Sequence, residues 1–288
     1  QLADEAAALL LRKLGKRGFD PLDPGRVQLK RNEIRLGKIA IILLLFFGAH
    51  RDGHVLLGVV EPSLLNDLPA RDDHLDLPRD LGLDVGAGPS SFTAEAVRRG
   101  VDAVATDPMY GCTGETLATH VQVDYARMFA QMRAKPRLFR VGQAAVTGRP
   151  FRFASIDAAE IDRRLAAQRF LADFEAQRCY GRYVAAALPQ LPFFDGTFDL
   201  VLCAHLLFVY AARFDFDWHL AACRELVRVS AGEVRIHPLC GADGKPYAGL
   251  PRLRRELRAA GIASEVRTVI YEFFTGAHSM LVLRREHA

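Results

Sequence analysis

The stretch LDVGAGPSSFTAEAVRRG, residues 83–100, joins a short apolar run to a helical pattern through a glycine-rich turn. With Leu81 and Gly82 in front of it, LGLDV reads as a buried strand. Gly86 and Gly88 permit a sharp turn and leave no Cβ between the backbone and a ligand. SFTAEAVRRG then reads as a helix ended by Gly100. Its first turn offers amide N–H groups and the positive end of the helix dipole.

The next run, VDAVATD, predicts a second strand that ends in Asp107. This acid follows the glycines by about 20 residues, where a carboxylate can accept both hydroxyl hydrogens of a ribose. A helix-capping role is the alternative for Asp107. Turn and acid together fit a dinucleotide as well as S-adenosylmethionine. The third glycine of the dinucleotide pattern G-x-G-x-x-G is missing, because that position is Ser91.

Further along, LPFFDGTFDLVLCAHLLFVY covers residues 191–210. DGTF predicts a turn, and the unbroken apolar run FDLVLCA predicts a strand buried on both faces. DFDWHLAACRELVRVS (215–230) reads as a helix and GEVRIHPL as the following strand. LPRLRRELRAAGI reads as an amphipathic helix closed by Gly261. ASEVRTVIYEFF and AHSMLVLRR read as two strands joined by a turn at Thr275 and Gly276, an antiparallel end to the sheet. Between the second strand and residue 191, helices are expected at about 121–134 and 157–179. The second carries a one-sided stripe of Ile161, Leu165, Phe170, Leu171 and Phe174.

On these residues the chain resembles the class I S-adenosylmethionine-dependent methyltransferases over about residues 80–285. The residues that carry the resemblance are Asp84, Gly86, Gly88, Asp107, Leu191, Pro192, Phe193, Asp195, Phe198 and Asp199, with the Leu-rich helix before the last two strands. The resemblance implies an α/β fold: a Rossmann-like, doubly wound, mostly parallel seven-stranded sheet with an antiparallel last strand. It implies S-adenosylmethionine as cofactor. Asp84, Gly86, Ala87 and Gly88 would face its methionine part. Asp107 would hold the ribose, with Pro108 and Met109 against the adenine, and Cys203, Ala204 and His205 would line the pocket near the sulfonium. The family often meets the adenine amino group with an acid shortly before LPF. Here Ala186 and Ala187 stand in that region, so backbone groups or a residue of the 110–180 section are expected to replace it.

Residues 1–79 are expected to form a helical extension or lid before the cofactor domain of 80–288, which holds a helical insertion at about 110–182. IAIILLLFFGA (39–49) is too short for a membrane span, which needs about 20 apolar residues. The polar segment before it is too long for a signal peptide, so a buried or interfacial helix is expected. Because the chain opens at Gln1, the natural N-terminus is expected to lie upstream. Asn32 and Arg35 are expected on a solvated face, with a cofactor contact as the alternative.

Half of the 288 residues are apolar and a quarter are charged, and the net charge is +4. Scattered basic residues predict no nucleic-acid partner. Five cysteines without metal spacing predict reduced thiols in a cytoplasmic protein and no metal site. The acceptor is expected to be a small molecule; nothing indicates the oligomeric state. His205, after the strand FDLVLCA, is the first candidate for a general base, with Tyr183 and Tyr180 as polar contacts. Packing is the alternative for all three, and His237 is a lesser candidate. Asp195 and Asp199 are expected to be structural. Methyl transfer is the leading reaction. Attack on another carbon of the sulfonium, non-catalytic cofactor binding, and nicotinamide-dependent redox chemistry are the alternatives.

Overall fold

The computed structural model describes residues 81–142, 152–269 and 271–286. The expected helical extension of 1–79, including Asn32, Arg35 and the 39–49 segment, lies outside the described residues.

Strand β1 (Leu81–Val85) runs through the turn of Gly86–Ser91 into helix α1 (Phe92–Arg98), and β2 (Asp102–Thr106) follows. A single 3-10 turn (Pro108–Gly111) leads to α2 (Gly114–Ala134), and α3 (Ile156–Gln177) returns to a two-residue strand, β3 (Tyr183–Val184). Then come β4 (Phe198–Ala204), α4 (Phe216–Val229), β5 (Ser230–His237), α5 (Leu250–Ala259), β6 (Ile262–Thr268) and β7 (Ser279–Arg285). The seven strands form one sheet in the order β3-β2-β1-β4-β5-β7-β6. All neighbours are parallel except β7, which is antiparallel to β5 and β6. This is the Rossmann-like, doubly wound arrangement expected from the sequence.

The two faces of the sheet follow from strand alternation. Leu81, Leu83 and Val85 share one face with Val201, Cys203, Val234, Ile236, Leu281 and Leu283, packed on α4 and α5. Leu202, Ala204, Ala103, Met280 and Val282 form the other face and meet Phe92 and Ala96 of α1. Helices α2 and α3 pack on each other and on Tyr271, Phe273 and Phe274 of the β6–β7 connection. The chain leaves β1 in one direction toward β2 and β3 and re-enters beside β1 at β4. Sheets of this kind bind ligands at that reversal, outside the carboxyl ends of the strands.

The segment before β4 is held from α4. The Arg228 guanidinium donates to the carbonyls of Leu191 (3.2 Å) and Phe193 (2.8 Å) and to Asp195 (2.7 Å). Glu225, paired with Arg228, accepts the Leu191 N–H at 2.6 Å. Asp199 accepts the Leu81 N–H at 2.8 Å and so ties the start of β1 to β4.

Three expectations change, the first being that β6 ends at Thr268 and a ten-residue connection leads to β7, where a strand to Phe274 and a short turn were expected. Helix α2 begins at Gly114, earlier than the periodicity indicated, because the Thr113 side chain accepts the Thr116 N–H and caps it. The stripe on α3 is rotated: Ile161 and Leu165 are exposed, at 62% and 46%. The buried side is Ile156, Ala159, Arg163, Ala167, Phe170 and Phe174, so a buried arginine interrupts the apolar pattern.

Candidate functional site

The glycine turn is tied to the end of β2 at several points. The N–H groups of Gly86 and Ala87 both donate to the Thr106 carbonyl, at 2.8 and 3.1 Å. Gly86 and Gly88 have φ of 67° and 54°, the left-handed region that other residues rarely adopt. A Cβ on Gly86 would also stand 2.6 Å from Leu206 Cδ2. Asp107 accepts the Gly88 N–H at 3.1 Å on one oxygen and the Met109 N–H at 2.9 Å on the other. It therefore caps the 3-10 turn that carries Pro108 and Met109, while each oxygen keeps a further lone pair. The Tyr110 hydroxyl donates to the Gly88 carbonyl at 2.7 Å, and its ring packs among Phe170, Phe174 and Tyr183. Sequence reasoning missed Tyr110, although its place three residues after Asp107 within an aromatic-rich section was visible.

Asp84 is 1% exposed, and neither carboxylate oxygen has a hydrogen-bond partner. Burial, with the Asp107 charge adding to it, pushes its carboxyl up to about 8. Burial also lifts Asp107, to about 6, against the lowering effect of its two backbone N–H bonds. Two carboxyl groups thus lie at the turn, one of them with no protein donor. Such an arrangement suits a ligand that brings positive charge and hydrogen-bond donors.

The start of α1 is less open to an anion than the sequence implied. Ser90 Oγ accepts the Phe92 N–H at 3.1 Å. Ser91 Oγ donates to Glu95 Oε1 at 2.8 Å, which keeps a carboxylate at the first turn of a seven-residue helix.

Across the reversal stand the ends of β4 and β5. Cys203 and Ala204 are buried on opposite faces of the sheet, so only their backbone is available toward the strand ends. Burial holds the Cys203 thiol well above its ordinary range. His205 follows with φ of 56°, the one positive φ among the described non-glycine residues. Its N–H donates to the His237 carbonyl at 2.6 Å. Its ring meets that of His237 edge-on at 5.6 Å and lies 5.8 Å from Phe274.

The tyrosines stand on the β2–β3 side of the turn, away from the ends of β4 and β5. The Tyr183 hydroxyl donates to Asp173 at 2.6 Å, and Asp173 also pairs with Arg182. Burial and this bond hold the phenol far above its usual range. Tyr180 ends a single turn (Arg178–Tyr180) before β3 and is half-buried. From β3 to β4 is three positions in the sheet order, roughly 14 Å at ordinary strand spacing. The structure therefore groups the tyrosines with the α3–β3 junction and His205 with His237. Among the described residues, no group of three or more His, Cys, Asp or Glu could hold a metal ion. No helix among them is long and apolar enough to cross a membrane.

No family model matches the chain. An uncharacterized protein of Methanocaldococcus jannaschii, MJ0045, is 26% identical over 203 residues, 70% of this chain and 85% of that protein. Among solved structures, the magnesium protoporphyrin IX methyltransferase ChlM of Synechocystis, crystallised with bound S-adenosylmethionine, is 14% identical at a TM-score of 0.38. That match covers 73% of this chain and 72% of the other. The 1,6-didemethyltoxoflavin-N1-methyltransferase of Burkholderia thailandensis is 16% identical at a TM-score of 0.40, covering 87% and 90% of the two chains. A TehB-like methyltransferase of Corynebacterium glutamicum is 15% identical at a TM-score of 0.39, covering 74% and 84%.

Proposed function

We propose that this protein is an S-adenosylmethionine-dependent methyltransferase acting on a small-molecule acceptor. The observation that carries the reading is Asp84, a buried carboxyl without a donor, beside Asp107 under a turn of two left-handed glycines. A cofactor with an ammonium group, a sulfonium and a ribose diol supplies the positive charge and the donors that this site lacks. A dinucleotide would bring its pyrophosphate to the first turn of α1, where Ser90 already accepts the Phe92 N–H and the Glu95 carboxylate stands, which disfavours it.

In this reading Asp84 and the backbone of Gly86, Ala87 and Gly88 hold the methionine end. Asp107 accepts the ribose hydroxyls on its remaining lone pairs, Pro108 and Met109 flank the adenine, and the backbone of Cys203 and Ala204 borders the sulfonium. When bound, the cofactor supplies an activated methyl group with a neutral thioether as leaving group. The protein aligns the acceptor and excludes water, which accounts for much of such a catalyst's work. Tyr183 is not assigned a catalytic role, because its hydroxyl is committed to Asp173. Five free cysteines support action in a reducing compartment, the cytoplasm.

Incubation of the full chain with S-adenosylmethionine and a panel of small nucleophiles, followed by identification of the adenosyl product, tests the reaction. S-adenosylhomocysteine is expected. Methylthioadenosine would instead mean attack on another carbon of the sulfonium.

A further inference from the structure

His237 ends β5 in register with Ala204 of β4 and is 2% exposed. Its Nε2 lies 2.9 Å from the Ala277 carbonyl. A carbonyl can only accept, so Nε2 carries the proton and Nδ1 is left with a bare lone pair. That Nδ1 is buried and has no hydrogen-bond partner. An unpartnered buried acceptor costs free energy, which an incoming donor recovers. The ring is flanked by His205 at 5.6 Å, which directly follows the end of β4, and by Tyr271 at 6.1 Å from the β6–β7 connection. The His205 N–H, bonded to the His237 carbonyl, fixes the two histidines against each other.

The geometry points to His237, rather than His205, as the group that accepts a hydrogen bond from the acceptor's nucleophile through Nδ1 and takes its proton. This rests on the pocket reading given above. The nucleophile is then an N–H or O–H group, not a thiolate or carboxylate that arrives already ionised. Its proton passes to Nδ1. The freed electron pair forms the new bond to the methyl carbon, and the electrons of the carbon–sulfur bond remain on sulfur. The imidazolium afterwards returns its proton to solvent. Burial holds the His237 imidazole down to about 4, so the ring is neutral and able to accept at neutral pH. The Ala277 carbonyl, by accepting from Nε2, also stabilises the ring once it is charged.

The test uses the full chain with 15N-labelled histidine, saturated with S-adenosylhomocysteine, and three probes: phenol, indole and imidazole. His237 Nδ1 is expected to resonate as an unprotonated ring nitrogen. At least one probe should move it upfield, whereas anisole, which lacks the hydroxyl proton, should not. His237→Gln retains a side-chain N–H for the Ala277 carbonyl and removes the Nδ1 acceptor. It should keep the melting temperature and the S-adenosylhomocysteine affinity of the wild type while weakening the responding probe about tenfold, about 1.4 kcal/mol. An Nδ1 resonance unmoved by all three probes, or a Gln variant that binds them as the wild type does, overturns the assignment. Failure to bind S-adenosylhomocysteine at all would overturn the pocket reading and this inference with it.

Discussion

Asp84 is held in the folded chain against its own chemistry. Its carboxyl has an ordinary value of 3.8 and is raised to about 8, first by burial and then by Asp107. A raised acid stabilises the fold fully below its unfolded value, and that contribution is lost as pH rises through the folded value. Without cofactor, the protein should therefore lose stability between about pH 4 and pH 8 on account of Asp84. Asp84→Asn, which cannot ionise, should remove that loss and be more stable than the wild type at pH 8, by up to about 5 kcal/mol. Thermal melts of both proteins across this range measure it. A wild type whose melting point runs parallel to that of the variant would mean that Asp84 ionises as freely as in water. Asp107 differs in that two backbone N–H groups already stabilise its charge. This explains why the neighbouring acid is the less perturbed of the two.

At the scale of elements, the junction before β4 shows how much of the frame rests on side chains rather than on strand pairing. Arg228 of α4 satisfies two backbone carbonyls and two carboxylates, and Glu225 adds the Leu191 N–H. Arg228 is only partly exposed, so its bonds are worth more than those of a surface pair. Arg228→Ala should destabilise the protein by about 2 kcal/mol, lowering the melting temperature by about 4–8 °C. An unchanged melting temperature would mean that the Leu191–Asp195 segment is held by its apolar contacts alone. The elements were unequally legible. β1 and β4 announced themselves through mostly apolar runs between turn residues, whereas β6 ends at Thr268, short of the expected Phe274. β3 is two residues long, too short for any periodicity. Arg163 lies on the buried side of α3 because Phe153, Phe273 and the Tyr271 hydroxyl surround its guanidinium. No pattern on α3 alone could reveal partners that come from other parts of the chain.

For the molecule as a whole, the sheet order places the β1 turn, the β2 carboxylate and the ends of β4 and β5 around one reversal point. The closeness of the glycine turn to Asp107 was readable because sequence spacing along a βαβ unit translates directly into space. The pairing of His205 with His237 was not, because it depends on β4 and β5 lying side by side in register. The unsatisfied state of Asp84 was likewise invisible, since it is defined by donors that the fold fails to supply. The most direct measurement is calorimetric titration of S-adenosylhomocysteine and of NAD into the wild type and Asp84→Asn at pH 7, in two buffers of different ionisation enthalpy. The wild type should bind S-adenosylhomocysteine and release a proton as Asp84 ionises against the ligand's ammonium group. The variant should bind at least about tenfold more weakly without that release, and NAD should give no heat. Equal affinity of the two proteins for S-adenosylhomocysteine, or binding of NAD in its place, would contradict the account.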